Sequence, residues 1–144
     1  MNTVTFEEIL ARDGKLIYKT KGHSMRPMLR QNRDLVIIEP TTERLKRFDV
    51  ALYKHGGKYI LHRVIKVNAE DYTFRGDHNY FKEPGIKDRE IIGILTAFVR
   101  KGKQHSTDEK GYRFLARLWV FLYPFRALAV KIKHLIKKIV KRQN

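Results

Sequence analysis

The chain has 144 residues, 42% of them hydrophobic and 32% charged, which fits one globular unit with a modest core and excludes disorder along its whole length. It has no cysteine, so disulfides and thiolate metal sites are excluded. The formal charge is +16, and the ten Lys and Arg from Lys110 onward face no acid at all, so the positive field is concentrated in the last quarter and favours phosphate-bearing partners.

The opening "MNTVTFEEIL" carries two glutamates and no long apolar core, so it does not read as a secretory signal. Residues 5–12, "TFEEILAR", read as a short helix capped by Thr5, with Glu7 and Glu8 suited to its first turn and Asp13-Gly14 ending it. "KLIYKT" then alternates as a strand. A tight turn, "KGHSMRPMLRQNR" at 21–33, leads into a series of short segments rich in β-branched and aromatic residues: "DLVIIEP" (34–40), "DVALYKH" (49–55), "KYILHRVIKV" (58–67), "DYTFRGD" (71–77) and "EIIGILTAFVRKG" (90–102). Turn residues punctuate them, as at His55-Gly56-Gly57. This spacing predicts a small, mainly β domain over 1–102.

After a linker at 103–111 the period of two is lost. Residues 112–144 read as a basic amphipathic helical tail in two pieces, broken near Tyr123-Pro124. In the second piece Leu128, Ile132, Leu135, Ile136 and Ile139 share one face, with lysines beside and behind it. Such a helix suits an anionic membrane surface through 112–142. The most apolar stretch, "LWVFLYPF" at 118–125, is closed by Arg117 and Arg126 and falls far short of the roughly 20 residues that a spanning helix needs. The expectation is a cytoplasmic protein peripheral to a membrane, with no signal peptide and no transmembrane helix. No nucleic-acid recognition motif is present, and the six histidines show no metal-ligand spacing, so neither nucleic acid nor a metal or other cofactor is expected.

Within the turn, Ser24 is a candidate nucleophile. A serine hydroxyl needs a neighbouring base, and imidazole serves near neutral pH. Alternation along "YILHRVIKV" places His62 on the same strand face as Ile60 and Val64, which should point inward. An inward, neutral His62 would accept the Ser24 proton, with Asp77 orienting the ring. Gly22 permits a sharp turn that offers the backbone N–H of Ser24 as an oxyanion donor.

The segment "GHSMRPML" resembles the nucleophile box of the signal peptidase I and LexA-like serine peptidase superfamily. Further boxes follow in that family's order: "RDLVII", "RFDVALY", "ILHRVIKV", "FRGDHN" and "IIGIL", so the likeness runs from about Lys21 to Val99. It implies a signal-peptidase/LexA-like β domain and a serine endopeptidase acting on a peptide or pre-protein. Because His62 stands where many relatives carry lysine, the resemblance is to the Ser-His type. In that type an acid of the Gly-Asp-x-Asn box assists, which carries over to Asp77. Glu83 stands where a second family aspartate lies. The resemblance also places Met25 and Pro27 beside the substrate cleft.

Departures accompany the likeness. Gly22 lacks the hydroxyl that many relatives carry two positions before the nucleophile. Arg33 and Phe48 stand where glycine is usual, and no N-terminal membrane anchor is seen. These departures keep open an alternative function, a non-catalytic, membrane-attached peptide-binding module with a peptidase-like fold. Asp34 and Asp49 are expected to fix turns, and Arg63 to pair with an acid.

Overall fold

The computed structural model describes residues 3–143. Helix α1 (Phe6–Asp13) is capped at both ends. The Thr5 hydroxyl accepts the Glu8 N–H at 3.2 Å, and the Glu8 carboxylate accepts the Thr5 N–H at 2.8 Å. At the other end the Gly14 N–H closes on the Leu10 carbonyl at 2.9 Å. Leu10 is the buried anchor, and Phe6 stacks on Tyr18 and meets Tyr59, which ties the helix to the sheet.

Among the described residues, eight strands form one antiparallel sheet: β1 (Leu16–Lys19), β2 (Asp34–Glu39), β3 (Val50–His55), β4 (Lys58–Val67), β5 (Tyr72–Arg75), β6 (Glu83–Ile86), β7 (Ile91–Arg100) and β8 (Lys103–Ser106). The order is β1-β2-β7-β3-β4-β5-β6, with β8 pairing beside β7. The long strand β7 pairs with β2 through 94–100, with β3 through 91–94 and with β8 through 97–100. A bulge falls on β4 between Val64 and Lys66, just past His62 and Arg63.

Both faces of the sheet's middle are buried, which is why "VALY" reads as a continuous apolar run. Successive β3 residues divide between two cores. Val50 and Leu52 join Leu10, Leu16, Met25 and Leu29 on one side. Ala51 and Tyr53 join Val64, Tyr72, Phe74 and Ile86 on the other. The turn that carries Ser24 is therefore pinned to the first core through Met25 and Leu29.

The C-terminal region corrects the expected boundaries. Residues 103–106, expected to be linker, form β8, because the turn at Lys101-Gly102 folds them back onto β7. Helix α2 (Lys110–Phe121) lies against the domain, with Ala116 buried and Tyr112 on Phe98. The Trp119 indole N–H donates to the Asp77 carbonyl at 2.7 Å, and Arg126 reaches the same carbonyl at 3.2 Å. The tail is thus docked as far as Arg126. The rest of α3 (Tyr123–Gln143) carries its apolar stripe in the open, with Leu128, Leu135 and Ile136 each more than half exposed. Among the described residues, no helix is long and apolar enough to cross a membrane.

Candidate active site

The Ser24 turn is held from both ends. Gly22 sits at φ 81°, in the left-handed region that a side chain would strain, and its N–H donates to the Gln31 side chain at 3.0 Å. Past the serine, the Leu29 N–H closes on the Met25 carbonyl at 2.9 Å, and both side chains are buried. The Ser24 carbonyl is taken by the His78 N–H at 2.8 Å. A Cβ on Gly76 would stand 2.6 Å from that same carbonyl oxygen, so the glycine of "FRGDHN" is what lets this box close against the serine turn. Two segments about fifty positions apart are locked backbone to backbone.

His62 is buried on β4, directly opposite Ala51 in the register and diagonal to Tyr53. Its Nδ1 lies 2.9 Å from Glu83 Oε1 and 3.4 Å from the Tyr53 hydroxyl. That hydroxyl donates a short hydrogen bond to the other Glu83 oxygen, so one carboxylate is shared by a phenol and an imidazole. Burial pushes the His62 pKa down, and the Glu83 charge and hydrogen bond partly oppose it. A neutral ring that gives Nδ1–H to Glu83 has its lone pair on Nε2. Burial, with Glu83 next, pushes the Tyr53 phenol up, so it stays a donor.

Asp77 is occupied elsewhere. Its carboxylate accepts two hydrogen bonds from Arg63, both at 2.8 Å, in a pair with almost no exposure. The Phe48 carbonyl takes another Arg63 nitrogen at 2.8 Å. Burial works against the Arg63 charge, and the Asp77 carboxylate outweighs it, so the guanidinium pKa stands above its usual range. The expectation that Asp77 orients the His62 ring is corrected here: the acid bonded to the ring is Glu83. Arg63 and His62 are neighbours on one strand and point to opposite faces, so each takes the acid that its own face presents.

Ser24, Met25 and His62 line one cleft of about 780 Å³. The polar partners of the His62 ring are Glu83 and Tyr53, and among the described residues no hydrogen bond joins it to Ser24; the two share the lining of the cleft. Pro27, expected beside the cleft, instead lines a separate groove with Met28, Trp119 and Leu122, because the turn directs it toward α2. Six consecutive residues, Gly57 to His62, line one side of the cleft, and Tyr18, Lys19 and Thr20 line another. Consecutive lining means that these strands offer an edge, since a face would offer alternate residues. The register agrees, because β5 pairs with β4 only from Arg63 onward and β1 is the last strand of the sheet.

Asp34 and Asp49 both fix turns, accepting the Arg30 N–H at 2.9 Å and the Lys46 N–H at 2.7 Å respectively. Phe48 occupies φ 79°, where glycine would be unstrained. Its N–H bonds to the Val64 carbonyl at 2.8 Å and its ring lies under Arg47 and Arg117, which hold the strained turn in place. Tyr53 is the site residue that sequence reading missed. The signal was available, since period two along "DVALYKH" puts Tyr53 on the face of Ala51, and that face lies across from the His62 side of β4. The fold is thus a mainly antiparallel β domain with a short N-terminal helix and two C-terminal helices. Comparison with protein-family models yields no match, and comparison with curated proteins yields none.

Proposed function

We propose that the chain is a serine endopeptidase of the signal peptidase-like, Ser-His type, with Ser24 as nucleophile, His62 as general base and Glu83 as the acid that orients the imidazole. The observation that carries this reading is the buried His62 ring, held at Nδ1 by a carboxylate and lining the same cleft as Ser24. His62 Nε2 takes the hydroxyl proton as Ser24 Oγ attacks the scissile carbonyl. The imidazolium that forms is stabilised by Glu83, and it then gives its proton to the leaving amine. Water, activated by the same base, releases the acyl group. The backbone N–H of Ser24 is the oxyanion donor in this scheme. An extended peptide would add to the free edge of β4 at 58–62, which presents unpaired backbone groups up to the base itself.

The test is cleavage of a peptide library read by mass spectrometry, with wild type beside Ser24→Ala and His62→Ala. Both variants should lose cleavage while remaining folded, with the thermal midpoint unchanged in Ser24→Ala and lowered in His62→Ala, whose ring is buried. Cleavage at the wild-type level in both would overturn the assignment. Peptide binding without any wild-type cleavage would favour the non-catalytic binding module.

The same reading puts the enzyme at an anionic lipid surface through α3. What supports it is an exposed apolar stripe with Lys131, Lys133, Lys137, Lys138 and Lys141 nearby and no acid beyond Glu109. Each such charge is worth on the order of 1 kcal/mol at the surface. Sedimentation with phosphatidylglycerol vesicles should carry the chain down, and pure phosphatidylcholine vesicles should not. Leu135→Glu with Ile139→Glu should abolish the difference.

A further inference from the structure

The cleft has an electrostatic asymmetry that the catalytic reading does not use. Lys19 and Lys21 line one wall and Lys58 lines the other, all three exposed. Among the described residues, no acid lines the cleft with them. Two acids bonded to lining residues are already engaged. Glu7 accepts the Tyr59 hydroxyl at 2.6 Å and faces Lys54 Nζ at 3.8 Å, and Glu83 is shared by His62 and Tyr53. Among the described residues, none of the three lysines is in an ion pair. Between them the walls are apolar, formed by residues such as Met25, Leu52, Ile60 and Phe81. The chain's overall charge of +16 adds a long-range field of the same sign.

We propose that this cleft selects acidic peptides: an extended segment, apolar where it meets Ser24, that carries Asp or Glu flanks lying against Lys58 and the Lys19–Lys21 wall. The spacing follows from the strand. Lys58 stands four residues before His62 on β4, and at about 3.3 Å per residue a paired substrate strand places its acid on the order of four residues from the cut bond. A peptide with basic flanks would set like charges together at both rims, and nothing in the cleft offers them a partner. This inference rests on the cleft being the peptide site, as in the catalytic reading, but it does not require turnover.

The experiment separates the two. The 144-residue chain with Ser24→Ala is titrated with two fluorescent pools of short peptides, alike in a randomised small and apolar centre and differing only in Glu or Lys flanks. Anisotropy should show the Glu pool binding on the order of tenfold more tightly, as expected for a few solvent-exposed charge contacts. Added salt should shrink that difference. Combining K19E, K21E and K58E in the same background should reverse the preference, and because all three side chains are exposed the thermal midpoint should hold. Equal affinities, a preference for the Lys pool, no binding of the Glu pool, or a preference untouched by the triple substitution would each overturn the proposal. Wild-type cleavage of both pools at the same rate would sink the acidic preference and leave the peptidase reading standing. Selective binding of the Glu pool with no cleavage by wild type would do the reverse.

Discussion

Glu83 Oε1 lies 2.9 Å from His62 Nδ1, whereas both hydrogen bonds to the Asp77 carboxylate come from Arg63. Two carboxylates near one imidazole therefore have different work. Glu83 raises the His62 pKa against burial, which lowers it. Activity that needs the neutral ring should fall on the acid side, with its limb below the ordinary histidine value of about 6.5. Glu83→Gln removes the opposing charge, so the limb should move to still lower pH, while kcat drops by roughly 10²- to 10⁴-fold as the ring loses its orienting partner. A pH–rate profile reads both effects. A limb moved toward higher pH would contradict the arrangement.

Asp77→Asn should act on stability first. It leaves the Arg63 guanidinium fully buried with its charge unpaired, a change that typically costs about 3–5 kcal/mol. Against a total stability of roughly 5–15 kcal/mol this is severe. Urea denaturation should show a sharply lowered midpoint for Asp77→Asn and a much smaller change for Glu83→Gln, whose side chain keeps contact with solvent. If Asp77→Asn folds as stably as wild type but cannot cleave, the two acids have been given each other's roles.

Local chemistry made most of the fold legible. The Thr5–Glu8 capping box, the β4 span 58–67 and the break between α2 and α3 near Tyr123 all follow from short-range pattern. Strands β6 and β8 were not legible for a physical reason. "EPGI" contains the two residues least suited to a strand, and "KQHS" has no apolar side to alternate. Each is an outer strand whose pairing is set by the turn that returns it to its neighbour. In the site, the order of the boxes in the resemblance marked Ser24, His62 and the acids, but which acid meets which base depends on strand face. Phe74 pairs with Glu83 across the β5–β6 ladder, and that long-range register delivers the carboxylate to His62.

Asp34 gives the fold an acid-sensitive clamp. Burial works to raise its pKa, but hydrogen bonds from Arg100, Arg33 and the Arg30 N–H outweigh this and hold it down at about 2. A carboxyl depressed in the folded state stabilises it above the usual aspartate range, and that contribution is lost as pH falls through the folded value. The shift from the ordinary 3.8 corresponds to about 2 kcal/mol. Asp34→Asn should therefore lower stability by about that amount at neutral pH. It should also flatten the decline of stability between the ordinary value and about 2, measured by urea titration across that range. A decline as steep in the variant as in wild type would assign acid sensitivity to other groups.

Thr20 offers the opposite case, a largely buried side chain whose polar atom is unpaired within the protein. It is 8% exposed, and among the described residues its hydroxyl finds no protein hydrogen-bond partner. An unpaired buried hydroxyl carries a desolvation penalty of about 1–3 kcal/mol with nothing to offset it. Thr20→Val keeps the branched shape and the extended backbone preference while removing the oxygen, so it should raise stability by about 1 kcal/mol. Thr20→Ser keeps the oxygen and deletes a buried methyl, so it should lower stability by roughly 0.8 kcal/mol. Opposite signs in the two variants, read as thermal midpoints a few degrees to either side of wild type, separate a hydroxyl penalty from a general intolerance at this position. If valine is the more damaging of the two, the hydroxyl is bonded in solution, with ordered water the natural partner at the cleft wall.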